Sequence, residues 1–573
     1  MADPVMALLP IFREALAKAF GDECASADPM LRASKHADFQ ANVALSLAKI
    51  LKRAPRDVAT QLLEHLPQTD IIERAEVSGP GFINLWLSRK YLSRALAEAF
   101  ADLGLTPTET PETVVIDYSS PNVAKEMHVG HLRSTIIGDA LSRVFEAVGH
   151  RVIRQNHLGD WGTPFGMLIE HLLEVDVKAN EQSITDLSSF YQAARQKFDS
   201  DPAFAERARL RVVALQNADA ETLELWRKLV AASMSYFNTI YKLLGVTLKD
   251  TDIAGESLYN PWLKQVVDEL LERRLAVESD GAICLFPPGF LGREQNPLPL
   301  IIRKQDGGYG YATTDMAAIR YRTQTLGATR ILYVVGATQA QHLSMLFASA
   351  RLAGWLLPPA RAEHVAFGAV LGADKKMFRT RAGETIRLVD LLNEAVSRAQ
   401  LVVAEKNPDL PSDVKESIAH AVGIGAVKYA DLSSDRGKDY VFDWDRMLAF
   451  DGNTAPYLQY AHARIRSIFR KGMHAVPIPT VLSVNAAEER ALALILLTFP
   501  TVVSDVVDSL DPHKICSYLY ELATTFSTFY ECCPVLKAPS PAERDSRLLL
   551  CDYTARVLER CLGLLGIEAP EKM

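Results

Sequence analysis

Cysteine is scarce in this sequence: seven residues in 573 (Cys24, Cys284, Cys516, Cys532, Cys533, Cys551 and Cys561), an odd number, thinly spread, with no CxxC pair. That excludes a disulfide framework and a zinc ribbon and points to a reducing compartment. Long apolar runs are also missing. The longest, from Ala491 to Ser504, contains Pro500 and falls short of the roughly 18 residues a membrane span needs. Asp3, Arg13 and Glu14 interrupt any signal-peptide core, so a cytosolic chain is expected. There is no internal repeat, no low-complexity tract and no excess of positive charge: 62 Lys and Arg against 70 Asp and Glu leave a net charge of -8. A generally basic nucleic-acid coat protein is thereby excluded, but a nucleic-acid enzyme is not, because binding depends on local fields. What remains is 48% hydrophobic and 23% charged, an ordinary globular balance that excludes a disordered chain or a collagen-like fibre. At about 150 residues per domain, the length suggests roughly three to four domains.

The first hundred residues read as a small α/β unit, with helical spacing over Pro4 to Phe20 and Asn42 to Leu51 and a strand-like segment from Ile71 to Leu87 broken at GPG. The stretch LGLTPTETPET follows as a linker. TVVIDY (Thr113 to Tyr118) is a short β-branched run of the kind buried in a parallel sheet. Beyond a turn-rich loop, Leu132, Ile136, Ile137, Ala140, Leu141, Val144, Phe145 and Val148 trace one helical face, Gly149 stops it, and RVIRQN supplies the next strand. This βαβ unit predicts a doubly wound parallel sheet. Residues from about 170 to 300 read as a mostly helical, charged insertion. Strand patterns return at ILYVVGA (Ile331 to Ala337) and HVAFGAVL, and long helical patterns dominate from Lys428 onward. GPGF (Gly79 to Phe82) and GGYG (Gly307 to Gly310) read as turns, and Cys532–Cys533 as packing.

HVGH (His128 to His131) falls between the buried strand and the amphipathic helix, where α/β folds bind phosphates on free helix N–H groups. A glycine between two histidines admits a ligand close to the backbone, and both imidazoles can donate to phosphate oxygens. These four letters alone leave open a phosphate loop, two surface histidines or a metal pair, although no nearby Cys or carboxylate cluster supplies further metal ligands.

The flanking text, DYSSPNVAKEMHVGHLRSTIIGDALSRVFEAVGHRVIRQNHLGDWGTPFGML, resembles the signature region of class I arginyl-tRNA synthetases, and HVGH corresponds to the HIGH motif of class I synthetases. YATTDMAAIRYR, LGADKKMFRTRAG and LAFDGNTAPYLQYAHARIRSIFRK follow in the family's order, so the resemblance covers nearly the whole chain. It implies a class I Rossmann-like catalytic domain with a helical insertion, a small α/β N-terminal domain and an α-helical C-terminal bundle. The boundaries expected are 1–108, 109–430 (insertion about 170–300) and 431–573. It implies an arginine–tRNA ligase that activates L-arginine with ATP, releases pyrophosphate and charges the terminal adenosine of tRNA(Arg), with Mg2+ accompanying the nucleotide and no resident metal. Relatives need tRNA even for activation. The remaining expectations are a cytoplasmic monomer without a membrane. Both steps develop charge on phosphate or ester oxygens, so positioning and electrostatic stabilisation are the protein's task.

By motif match, His128, Gly130 and His131 face the ATP phosphates. A second clamp, KMSKS-like in the class, reads K-K-M-F-R-T-R here: Lys376 matches the first lysine, Arg379 stands at the second, and Phe378 replaces the serine. Lys125, just upstream of HVGH, supplies the missing charge. By itself, the cluster Lys375, Lys376, Arg379 and Arg381 reads as a solvated basic loop. Arginine specificity calls for carboxylates and planar acceptors around a guanidinium group. Tyr311 and Asp315, four apart, share a helix face. Alone they read as a capped helix start; the resemblance assigns them to the substrate side chain, and Asp117, Asn122 and Gln339 to other amino-acid contacts. A buried acid rejects neutral amino acids without an editing domain.

No acidic residue lies between Asp451 and Glu488, while Arg464, Arg466, Arg470, Lys471, His462, Tyr457 and Tyr460 do, a combination suited to phosphates and unstacked bases or to an ordinary basic helix face. The resemblance makes this the anticodon-binding region, with Tyr457, Tyr460, Arg464 and Met573 as tRNA contacts. It also places Phe39, Gln40 and Asn42, in ADFQANVA, at the D-loop. The alternatives are a class I synthetase for another amino acid, a nucleotidyltransferase, and a catalytically inactive tRNA-binding relative.

Overall fold

The computed structural model describes residues 3–34, 36–162, 164–175, 187–292, 294–372, 374–376, 386–472 and 482–573. At the N-terminus Asp3 caps the helix Pro4–Phe20, accepting from the Val5 amide at 2.8 Å, and Pro4 occupies the first turn, where its missing N–H costs nothing. Leu8, Ile11, Phe12, Ala15 and Leu16 recur at helical spacing and are buried, and this helix packs against Pro55–Glu64, which lies on a four-stranded antiparallel sheet. Its strands lie in the order Leu31–Ala33, Phe39–Ala41, Phe82–Leu87 and Ile72–Ser78, so the GPG break is a hairpin turn.

The central sheet has four parallel strands in the spatial order Arg361–His364, Arg330–Tyr333, Thr113–Asp117 and Arg151–Gln155. After Thr113–Asp117 the chain first turns to one side, then returns for a strand on the other. The two directions diverge between Thr113–Asp117 and Arg330–Tyr333. In such sheets ligands bind at this switch point, beyond the carboxyl ends of the strands. Register aligns Asp117 with Gln155 on one side and Tyr333 on the other, so these residues form the floor of the crevice.

HVAFGAVL does not continue as one strand. The sheet strand ends at His364, and Val370–Leu371 instead pairs in parallel with Tyr440–Val441. Gly368 marks the crossing: a Cβ there would lie 2.6 Å from the Lys438 carbonyl carbon, so only glycine lets the two backbones approach. The expected boundary at 430/431 falls inside the helix Ser412–Leu432. The insertion contains the expected helices, including Ala220–Leu244 and Asn260–Glu272, but also an antiparallel sheet of Ala276–Ser279, Ala282–Leu285 and Leu300–Arg303. Four-residue strands divided by glycine and proline carry too little alternation to stand out in a sequence. The apolar stretch around Pro500 forms two helices, Ala487–Leu497 and Phe499–Ser509, with Pro500 in the first turn of the second. It is apolar because Leu492, Leu496, Phe499, Val503 and Val506 face the bundle interior.

Candidate active site and RNA-facing surface

HVGH opens the helix Val129–Ala147, with His128 as its N-cap. His128 Nδ1 accepts from the Gly130 amide at 3.1 Å, and His131 Nδ1 accepts from the His128 amide at 3.1 Å, so the two histidines cap the helix reciprocally. A Cβ on residue 130 would sit 2.8 Å from the His128 ring, which explains the glycine between them. With both Nδ1 atoms accepting, the protons reside on Nε2, leaving two ring N–H donors. Burial, with Lys125 nearby, lowers the His128 pKa, and burial with His128 beside it lowers that of His131 to about 3. Both rings are neutral donors at neutral pH.

The loop before them is under backbone strain. Ser119, Ser120 and Ala124 all have positive φ (71°, 49° and 59°), a conformation costly without glycine. The surroundings hold it: the Ser119 amide donates to Ser134 Oγ at 3.0 Å, Ser120 to Asn156 Oδ1 at 3.0 Å, and Ala124 to Ser233 Oγ at 2.9 Å. Ser233 comes from the insertion, as does Tyr241, whose hydroxyl meets Ser119 Oγ at 2.8 Å. The insertion therefore braces the signature loop. Lys125 is exposed, its Nζ 4.6 Å from the centre of the Tyr191 ring.

The second basic loop connects directly to this motif. Lys376 closes a tight turn, its carbonyl accepting from Gly372 at 2.8 Å, and Lys375 has φ 59°. Arg379 lies outside the described residues. The chain resumes at Ile386, whose carbonyl accepts from Val129 at 3.1 Å, while Leu388 donates to the Met127 carbonyl at 2.9 Å. The returning segment is thus paired with the backbone of HVGH itself, fixing one end of the loop beside the histidines.

Across the crevice, Tyr311 and Asp315 occupy the first turns of the helix Tyr311–Gln324, and Gln339 ends a short turn before the helix Ala340–Leu352. Tyr311 is 75% exposed, and Asn122 and Gln339 are exposed as well. Asp315 Oδ2 meets His342 Nε2 at 2.7 Å. Asp117 is largely engaged by protein groups. Arg322, fully buried, donates to its Oδ2 at 2.6 Å and also to Gln155 at 2.5 Å, and Ser120 Oγ donates to its Oδ1 at 2.9 Å. No local pattern around Arg322 marks it as an internal residue.

Glu256 is a residue that sequence reasoning missed. It sits in the turn Glu256–Tyr259, and burial, with Asp160 and then Asp315 close by, raises its carboxyl pKa to about 8. Asp160 accepts from the Ser257 amide at 2.9 Å and Oγ at 2.6 Å, and burial raises its pKa too. Three carboxyl groups thus converge, and none of the three draws a neighbouring Lys or Arg into an ion pair among the described residues. Burial disfavours the ionised forms of Glu256 and Asp160, a penalty that an entering cation offsets. A lone Glu in AGESLYN carries no periodic or motif signal that could have exposed it.

On the helix Ala455–Gly472, Tyr457, Tyr460 and Arg464 fall on one face, with Tyr460 46% exposed. Tyr457 approaches Tyr520 (6.1 Å between ring centres), and the Arg464 guanidinium lies 4.9 Å over Tyr530. Other residues of the basic stretch are committed elsewhere. Arg466 bonds Asp552 at 2.9 Å and Glu559 at 3.2 Å, and buried His462 holds the Pro570 carbonyl. Met573 packs its side chain against the cluster of Ala399, Val403, Ile418, Ala419 and Val422 rather than standing free. Phe39 is 2% exposed in the N-terminal core, so its ring cannot stack on a base; Gln40 is bonded to Asn84 at 2.9 Å, and Asn42 is half-buried at the start of a helix.

Residues 95–444 match the family described as tRNA synthetases class I (R), catalytic domain. Residues 7–87 match the arginyl tRNA synthetase N terminal domain and residues 458–573 the DALR anticodon binding domain. The arginine–tRNA ligase of Thermobifida fusca is 57% identical over 577 residues, covering 100% of both chains, and that of Frankia casuarinae is 52% identical over 96% of each. The chain belongs to the arginyl-tRNA synthetase family. The crystal structure of the arginyl-tRNA synthetase from Plasmodium falciparum superposes with a TM-score of 0.86 at 32% identity, covering 99% of both chains. That of Thermus thermophilus gives 0.81 at 27% identity, covering 99% of this chain and 100% of that one.

Proposed function

We propose a division of labour among the residues of this arginine–tRNA ligase, which uses ATP to join L-arginine to tRNA(Arg). His128 and His131 donate from Nε2 to the ATP phosphates, the Gly130 backbone admits them closely, and Lys125, Lys376 and Arg379 supply positive charge as pyrophosphate leaves. Mg2+ enters on the phosphate oxygens. The loop itself offers N–H donors, whereas this hard cation prefers oxygen, so the nucleotide rather than the protein carries it.

Asp315 and Glu256 take the guanidinium, and Tyr311 closes over it from the solvent side. Asn122 and Gln339 line the remainder, and Asp117 acts from the floor through Arg322. The observation that carries this reading is the pocket of carboxyl groups without a Lys or Arg partner among the described residues, which a guanidinium satisfies and a neutral side chain does not. Tyr457, Tyr460 and Arg464 meet the anticodon loop, and Gln40 and Asn42 meet the D-loop. The enzyme works as a cytoplasmic monomer free of membranes. ATP–pyrophosphate exchange, run with tRNA present and each amino acid in turn, tests the reading. Exchange with arginine alone is expected, and exchange with lysine or glutamate without arginine overturns it. Elution at the mass of one chain tests the monomer.

A further inference from the structure

The hydrogen bond between His342 and Asp315 reaches into this pocket from a second element. His342 lies in the first turn of the helix Ala340–Leu352, one turn beyond Gln339, and Asp315 lies in the second turn of the facing helix. Their 2.7 Å contact joins Nε2 to Oδ2. Both side chains are only partly exposed, at 31% and 24%. A carboxylate on a helix turns freely about its last torsion unless something holds it. Here the imidazole engages one oxygen, so the plane of the carboxylate is set before any ligand arrives. Fixing a recognition group in advance removes an ordering cost from binding.

We propose that His342 is a positioning residue for arginine recognition: it holds Oδ2 of Asp315 so that Oδ1, together with Glu256, receives the guanidinium. The inference rests on the reading of Asp315 as a substrate contact. A neutral His342 donates its Nε2–H and leaves the full negative charge of Asp315 to the ligand. A protonated one makes the same bond but neutralises that charge. The hydrogen bond to Asp315 itself raises the His342 pKa, bringing this change toward neutral pH. The groups facing the pair are Glu256 from the turn Glu256–Tyr259, Asp160 behind it, and Tyr333 from the sheet, whose phenol burial keeps protonated. Glu256 also gains a proton on acidification. The part due to His342 is therefore the difference between the wild type and a variant that keeps the bond but cannot titrate.

The test is tRNA charging at pH 6 to 8 with H342A, H342Q and D315N. H342A should raise KM for arginine about tenfold, the scale of one lost hydrogen bond to a charged group, while kcat and KM for ATP move less than about twofold. H342Q places an amide nitrogen near the Nε2 position. It should restore KM for arginine at pH 8 and show a shallower rise in that KM toward pH 6 than the wild type. H342A leaving KM for arginine unchanged, or lowering kcat as much as it raises KM, overturns the proposal. So does an H342Q profile that matches the wild type. Separately, D315N with normal KM for arginine removes the substrate reading of Asp315 and the proposal with it. A large D315N effect beside a silent H342A removes only the role of His342.

Discussion

Arg322 Nη2 reaches Asp117 Oδ2 at 2.6 Å, ties the helix that carries Asp315 to the central strand, and is itself fully buried. Two signature segments far apart in the chain are thereby held in one geometry. The same guanidinium donates to Gln155 on the neighbouring strand and packs 4.9 Å from the Tyr333 ring centre, so it spans three strand ends of the crevice floor.

Arg322→Met should therefore leave Asp117 buried without its partner and destabilise the fold by about 3–5 kcal/mol, the usual penalty for breaking a buried ion pair. Pairing it with Asp117→Asn should recover most of that loss. Chemical denaturation of the three variants measures both steps.

On the proposed reading His128→Asn and His131→Asn each remove a donor to the ATP phosphates, and each should lower kcat by on the order of 10²–10³. The His131 pKa, lowered to about 3 in the fold, also has a linkage consequence. The unfolded chain takes up a proton near its unperturbed value of about 6.5, so this group's contribution to stability is present above that pH and lost as pH falls toward 3. The wild type should lose stability over this range more steeply than His131→Asn, as Tm against pH will show.

Glu256 runs the opposite way. Its pKa is raised to about 8, so the folded state holds a proton that the unfolded chain gives up near about 4.3, and stability is lost as pH rises between those values. Glu256→Gln should therefore melt higher than the wild type at pH 8 without substrate, with little difference at pH 4, while its KM for arginine rises at least tenfold. A Tm series with and without saturating arginine separates these effects.

On the RNA side, Arg464→Ala and Arg470→Ala should each flatten the slope of log affinity for tRNA against log salt by about one. Arg466→Ala should leave the slope alone and lower Tm, because its charge is already matched by Asp552 and Glu559. Filter binding across a salt series decides between these roles.

HVGH and the βαβ unit around it were legible because their signal is local: strand, loop, cap and helix follow one another without a break. The shared helix of Tyr311 and Asp315 was legible from their spacing, whereas their assignment to the substrate came from the family resemblance alone. Glu256, Arg322 and His342 were not legible, since each acquires its meaning from a partner on another element. Within the basic stretch after Asp451, Arg466 is matched by Asp552 and His462 is buried against the Pro570 carbonyl, partnerships between elements that local spacing does not reveal. Phe39, too, has the composition of a base-stacking residue and the environment of a core residue.

The central claim is that Asp315 and Glu256 together select the guanidinium, in a site whose phosphate machinery is independent of them. The most direct measurement is the KM for arginine and for ATP in tRNA-dependent pyrophosphate exchange with D315N, E256Q and the double variant. The account predicts that KM for arginine rises at least tenfold in each single variant while KM for ATP stays within about twofold. It also predicts that the two effects fail to add, because both residues serve one ligand group. An unchanged KM for arginine in both single variants, or an equal rise in both constants, would contradict it.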